Sequence, residues 1–227
     1  MIDHERDLAH LHAATERLLT AAGSLDNAAG AEPSRLPGWT RGHVLAHVAR
    51  NADALVNVLR GLPMYPDAAT RDADIERGSG RPLDVQLADL RATADRFQAL
   101  GAEPADWSRT VELRNGVLDS ASRIPFRRWI EVELHHVDLG VGYELEDLPE
   151  EFTDRETAFL ADRFAGLESV PATSLRADDG REWKTGGTSG GVAVTGPAVE
   201  ILGWLAGRRD GSALETTGGP LPKLPPL

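Results

Sequence analysis

Apolar residues recur at helical spacing through the first third of the chain. Leucines follow a period close to that of an α-helix between Asp3 and Ala22, and Gly23 is a plausible stop. A second helix is predicted from Thr40, which is a favourable N-cap residue, to Gly61. Between these two helices the chain is rich in Gly, Pro and Ser, which indicates a loop.

The middle of the chain alternates between helical and irregular patterns. Residues 63–81 carry prolines, aspartates and glycines without a sustained period and are predicted to form a long loop, a class that is often functional. Asn115-Gly116 stands between apolar residues and predicts a β-hairpin. Amphipathic periods predict three further helices, over residues 83–100, 125–140 and 153–167.

Beyond Val170 the pattern changes to short apolar runs separated by Gly- and Asp-rich turns. Strands are predicted at residues 174–176, 183–185 and 192–194, a helix at 197–206, and an extended proline-rich tail at the end. The fold class is therefore α+β: a helical bundle over residues 1–168 followed by a small α+β domain over residues 169–227.

Composition narrows the function. The formal charge of −12 disfavours nucleic acid and anionic membranes as partners, and no apolar run is long enough to span a bilayer. The acidic N-terminus does not resemble a secretory signal, so we expect a soluble cytoplasmic protein. Cysteine is absent, so any thiol chemistry must use an external thiol.

The spacing of histidines and glutamates along the chain indicates candidate metal ligands on two predicted helices. Glu131 and His135 are four residues apart, so both side chains project from one helical face and can grip one ion. His43 and His47 have the same spacing, and one of them could supply the third ligand. Such pairs are also common on solvated faces, and spacing alone leaves other candidates open: Glu133, His136 and Asp138.

Several segments together resemble the mycothiol-dependent maleylpyruvate isomerase family, whose N-terminal part is a DinB-like four-helix bundle. They are residues 38–52, 63–65 with Arg71 and Ile75, 131–140 and 204–208, and the resemblance extends over most of the chain. The resemblance implies that His47, Glu131 and His135 hold one divalent metal ion, with Zn²⁺ the expected ion. His43 then becomes a neighbour of the site. Asp138 could orient His135 or could be a surface acid at the helix end.

The same resemblance implies a reaction, the isomerisation of maleylpyruvate to fumarylpyruvate in gentisate breakdown, with mycothiol as the thiol cofactor. Thiolate addition to the conjugated alkene, bond rotation and elimination would give the trans product. The metal would either lower the pKa of the thiol or polarise the substrate carbonyl. The sequence does not choose between these two roles.

A small anionic substrate with two carboxylates requires guanidinium groups in an acidic protein. Arg71 and Arg208 match arginine positions of the family and are the predicted catalytic residues, although Arg209 keeps the second assignment open by one residue. If Arg208 binds the substrate, the C-terminal domain closes over the metal of the bundle. Trp39 and Trp129 are predicted to belong to the core.

Two other functions remain open at this point. A mycothiol S-transferase acting in electrophile detoxification would use the same metal and thiol but would consume the thiol. A non-enzymatic regulator that binds a metal or another ligand would need no turnover. We expect the protein to be a monomer.

Overall fold

The computed structural model describes residues 2–226, which divide after Tyr143 into two compact units. The first unit is helical apart from one β-hairpin. Its elements are α1 (His4–Ala22), α2 (Asn27–Ala31), α3 (Arg41–Leu59), α4 (Ala68–Ser79), α5 (Leu83–Gly101), β1 (Thr110–Glu112), β2 (Leu118–Ser120) and α6 (Ile124–Leu139).

The long helices of this unit form the predicted four-helix bundle. Helix α3 packs against α5 and α6, and α1 packs against α6, so the leucine stripe found in the sequence is buried between helices. Thr40 begins α3 with a capping box whose other member is His43. Gly140 ends α6 at φ +65°, a backbone conformation that favours glycine. Among the described residues, no helix is long and apolar enough to cross a membrane.

The prediction that residues 63–81 form a loop is wrong for most of its length, because Ala68–Ser79 is the helix α4. Asp67 caps its first turn by accepting a hydrogen bond from the backbone N–H of Thr70. Only Ile75 and Gly78 are buried on this helix, so it lacks the apolar stripe that identifies a helix in sequence. Packing against α3 stabilises a segment whose own periodicity is weak.

The second unit combines two helices with a four-stranded sheet. Its elements are α7 (Glu150–Phe164), β3 (Thr173–Ala177), β4 (Glu182–Thr185), β5 (Val192–Gly196), α8 (Ala198–Leu205) and β6 (Glu215–Thr217). The strand order is β4-β3-β5-β6, with β3 and β5 parallel and the other neighbours antiparallel. The three predicted strands and the predicted helix are present, and β6 was not predicted.

The division between the units lies before α7, whereas the sequence placed it after this helix, between residues 168 and 169. Helix α7 packs against α8 and β4, and the Thr185 hydroxyl donates a 2.8 Å hydrogen bond to the carbonyl oxygen of Ala161. Its amphipathic period shows that one face is buried but not which domain covers that face. The sequence pattern of α7 therefore does not decide which of the two units contains it.

Candidate metal centre

Two helices of the first unit bring His47, Glu131 and His135 together. His47 lies on α3, and Glu131 and His135 lie one turn apart on α6, which packs against α3. His47 Nε2 is 3.0 Å from Glu131 Oε2, and His135 Nε2 is 3.3 Å from the same oxygen. One ligand atom from each residue lies within 4.8 Å of the others. The three predicted ligands therefore form one cluster.

The donor set and its spacing suit a divalent metal ion. Ligand atoms at zinc-like bond lengths in a tetrahedral site are about 3.4 Å apart, which is close to the two nitrogen to oxygen distances of this cluster. Two imidazoles and one carboxylate leave a coordination position open, as catalytic zinc sites do. His47 is almost fully buried, and about a third of the Glu131 side chain is exposed at 32%. The cluster can therefore be reached from solvent through its carboxylate.

The surroundings of the cluster favour a neutral His47 and an ionised Glu131. Burial and the nearby positive groups His135 and Arg71 lower the pKa of His47, despite its hydrogen bond to Glu131. Burial alone would raise the pKa of Glu131, but hydrogen bonds from the two histidines hold it well below its ordinary value. A neutral imidazole and an ionised carboxylate are the forms in which these groups bind metals.

Asp138 orients His135 from the side opposite to the cluster. The carboxylate oxygen Oδ2 of Asp138 is 2.9 Å from His135 Nδ1, and the aspartate is fully buried. This hydrogen bond fixes the imidazole so that Nε2 points toward Glu131. Burial would lower the pKa of His135, but hydrogen bonds with Asp138 and Glu131 raise it. The alternative that Asp138 is a surface acid is therefore wrong.

Arg71 approaches the cluster from α4, the helix that the sequence did not predict. Its Nη2 atom is 3.4 Å from His47 Nδ1, and its Nη1 atom donates to Asp72 at 2.7 Å. The guanidinium carbon lies 6.0 Å from the ring centroid of Tyr65. An arginine selected from a supposed loop thus lies beside the first histidine because a helix holds it there.

The other candidate ligands are engaged elsewhere. His43 completes the cap of α3, and its Nε2 is 3.1 Å from Glu76. His136 is buried and stacks on Tyr143 with ring centroids 4.0 Å apart. Glu133 lies on a different face of α6 from Glu131 and accepts hydrogen bonds from other residues: Arg17, Trp129 and Tyr143.

The two tryptophans singled out in the sequence have different environments. Trp129 is fully buried, and its indole N–H donates to Glu133 at 2.9 Å, which confirms its assignment to the core. Trp39 is only half-buried, and its ring lies 5.4 Å from that of His47. The prediction that Trp39 belongs to the core is wrong, because the loop before α3 places it beside the cluster.

Sequence reasoning missed Arg128, a fully buried cation on α6, one turn before Glu131. Its Nη1 atom donates a 2.9 Å hydrogen bond to Asn51 Oδ1, and Nη2 has no hydrogen-bond partner among the described residues. Burial lowers its pKa to about 10, although the negative charge of Glu131 opposes this change. Arg128 lies three residues before Glu131, and its partner Asn51 lies four residues after His47. This helical spacing was the signal in the sequence that could have identified Arg128.

The second unit carries Arg208 and Arg209 directly after α8. Arg208 is half-buried, and its Nη1 donates to the carbonyl oxygen of Ala206 at 2.7 Å. Arg209 pairs with both Glu200 and Glu146, at 2.8 and 2.7 Å. These two ion pairs give Arg209 a structural role within its own unit.

Both units of the chain match families or structures of known proteins. A family model described as "Mycothiol maleylpyruvate isomerase N-terminal domain" matches residues 11–140, and one described as "MDMPI C-terminal domain" matches residues 147–226. The crystal structure of the mycothiol-dependent maleylpyruvate isomerase is 27% identical, with a TM-score of 0.87 over 99% of this chain and 97% of that chain. A histidine-to-alanine variant of that enzyme gives 26% identity, a TM-score of 0.86 and the same coverage. No curated protein matches the chain.

Proposed function

Because this chain belongs to the mycothiol maleylpyruvate isomerase family, we propose that it isomerises maleylpyruvate to fumarylpyruvate with mycothiol as the thiol cofactor. The observation that carries the proposal is the convergence of His47, Glu131 and His135 within the region that the family model matches. The proposal places the enzyme in the cytoplasm, as the sequence predicts.

Each side chain of the proposed site has a distinct role. His47, Glu131 and His135 would hold the metal ion, and Asp138 would keep the His135 ring in the binding orientation. A bound divalent ion, for which Zn²⁺ is the proposal, supplies Lewis acidity, either to a thiol or to a carbonyl oxygen. The pKa of His47, lowered by burial and by Arg71, keeps this imidazole neutral and able to bind.

Arg71 and Arg208 are the proposed partners of the two substrate carboxylates. Arg71 supports this role by its position, because its guanidinium lies next to His47 while most of its side chain is shielded from solvent. Arg208 is proposed because it matches an arginine position of the family in the segment that ends α8. Arg208→Lys should therefore raise the KM for maleylpyruvate about tenfold, and Arg209→Lys should leave it unchanged.

The direct test follows the ultraviolet absorbance of maleylpyruvate after addition of zinc-loaded protein, with mycothiol present or omitted. We expect conversion to fumarylpyruvate only when mycothiol is present, without net loss of thiol. Loss of thiol in proportion to turnover would instead identify an S-transferase. Absence of any conversion by a protein that holds one metal ion per chain would overturn the isomerase proposal.

A further inference from the structure

A cavity lies in the first unit, between the loop that follows α3 and the β1–β2 hairpin. The cavity has a volume of about 650 Å³, within the range of roughly 300 to 1,000 Å³ that small-molecule sites occupy. The residues that line it and that matter for recognition are Leu62, Tyr65, Arg109, Glu112, Arg114 and Asn115. None of them belongs to the metal cluster.

Tyr65 connects this cavity to the metal cluster. Its ring lines the cavity, and the guanidinium carbon of Arg71 lies 6.0 Å from the ring centroid. Arg71 in turn lies 3.4 Å from His47. A ligand whose reactive end lies at the metal cluster could therefore extend past Tyr65 and place its remainder in the cavity.

The lining of the cavity suits a neutral polyhydroxylated ligand better than an anion. Its two acidic side chains, Asp67 and Glu112, balance its two basic ones, Arg109 and Arg114. The guanidinium of Arg109 is also committed to the backbone, since it donates to the carbonyl oxygens of Asp106 and Leu59. Hydroxyl groups both donate and accept, so they can pair with carboxylates, guanidinium groups and amides alike.

The cavity also offers apolar and aromatic surface to a sugar ring. Leu62 is 54% exposed on its wall, and Tyr65 also lines the cavity. The C–H faces of a pyranose or a cyclitol can cover such surface while their hydroxyl groups bind the polar wall. Asn115, at φ +61° in the hairpin turn, adds an exposed side-chain amide that has no hydrogen-bond partner among the described residues.

We propose that this cavity binds the glucosaminyl-inositol part of mycothiol while the cysteinyl thiol reaches past Tyr65 to the metal cluster. Mycothiol consists of acetylated cysteine joined by an amide to glucosamine, which is linked to inositol, so its glycan is neutral and rich in hydroxyl groups. This inference rests on the proposed function. It adds the surface that would distinguish mycothiol from smaller thiols.

The test compares two exposed leucines of the first unit. Leu62 lines the cavity, whereas Leu118 is 66% exposed on β2 and does not line it. Titration calorimetry with N-acetylglucosaminyl-inositol, which lacks the thiol but keeps the nitrogen acylated and neutral as in mycothiol, should show binding to the whole protein. Leu62→Trp fills the cavity and should weaken this binding about tenfold or more, and Leu118→Trp should leave it within about twofold.

Kinetics supply an independent readout. Leu62→Trp should raise the KM for mycothiol about tenfold, with little change in kcat or in any turnover supported by N-acetylcysteine. Glu112→Ala, at an exposed position of the cavity wall, should weaken glycan binding several-fold and serves as a second variant should Leu62→Trp fail to fold.

Two results would overturn the inference: no calorimetric binding of the glycan to the wild-type protein at millimolar concentration, or equal weakening by Leu62→Trp and Leu118→Trp. A failure of the proposed function alone would give a different result. Glycan binding would still depend on Leu62 and Glu112, but maleylpyruvate would not be converted in the presence of mycothiol.

Discussion

Helix α6 carries two glutamates, Glu131 and Glu133, that are two residues apart and have opposite environments. Glu131 accepts hydrogen bonds from two histidines and is 32% exposed. Glu133 is fully buried and paired with Arg17 at 2.6 Å, with the Trp129 indole N–H and the Tyr143 hydroxyl as further donors. The same side chain on the same helix thus belongs to a solvent-accessible cluster of candidate metal ligands in one case and to a buried hydrogen-bond network in the other.

The comparison shows that the partners of a carboxylate decide its role. Histidine nitrogen atoms can bind a divalent metal ion as well as a carboxylate, so the partners of Glu131 suit a metal site. The arginine, indole and phenol groups around Glu133 donate hydrogen bonds but are not typical zinc ligands. The Glu133 network therefore stabilises the folded protein. Four substitutions separate these two roles.

Glu131→Gln should have the largest effect, on metal binding and turnover. The amide is a poor metal ligand, so we expect loss of stoichiometric metal and a fall in isomerase turnover of at least about a thousandfold. Elemental analysis of the dialysed protein and the absorbance assay measure the two effects. Circular dichroism should show a retained fold, and wild-type metal content in this variant would contradict the proposed ligand set.

Glu133→Gln is the matched change on the other face of α6. Removal of the buried charge leaves Arg17 without its carboxylate, and we expect a loss of about 2 to 3 kcal/mol in the free energy of unfolding. Denaturant titration of the metal-free protein measures this loss. Metal affinity should remain within about twofold of wild type, so a large fall in affinity at unchanged stability would remove the distinction between the two glutamates.

Asp138→Asn should have an intermediate effect, because it disturbs the orientation of His135 without removing a ligand. Loss of such a hydrogen-bond partner typically lowers metal affinity by about 10- to 100-fold. Competition with a chromophoric chelator measures the affinity. Unchanged affinity would show that Asp138 serves only the fold.

The pH dependence of binding tests the same residue. The pKa of His135 is raised, so below that pKa a proton must leave before a metal ion can bind, and wild-type affinity should fall about tenfold per pH unit. Asp138 contributes to this increase, so in Asp138→Asn the fall should begin at a lower pH. His47, whose pKa is lowered, should not limit binding in the same range.

Tyr143→Phe should have the smallest effect. It removes the hydroxyl that donates a 2.8 Å hydrogen bond to Glu133 and retains the ring that stacks on His136. We expect a loss of about 1 kcal/mol in the free energy of unfolding, with metal content and turnover unchanged. A change in turnover would connect the Glu133 network to the chemistry.

The elements with a strong local sequence pattern are those that the sequence predicts correctly. The amphipathic helices and the alternating strands β3 and β5 were predicted because each buries one regular face, and the hairpin was predicted because Asn115-Gly116 is a turn signal. Helix α4 was missed because few of its residues are buried, and β6 because a three-residue strand carries too little pattern. The choice of His47 over His43 came from resemblance, and the structure adds that His43 is occupied as a helix cap.

The sequence by itself determined the fold class, the α6 spacing that aligns Glu131 with His135, and the dependence of any thiol chemistry on an external thiol. These features depend on local periodicity and composition, which the order of residues contains directly. Only the tertiary structure decided that Glu131 lies beside His47, that Trp39 is near the cluster, that α7 packs with the second unit and that Arg128 is buried. Such contacts join residues far apart in the chain, and helical periodicity identifies a buried face without identifying what covers it.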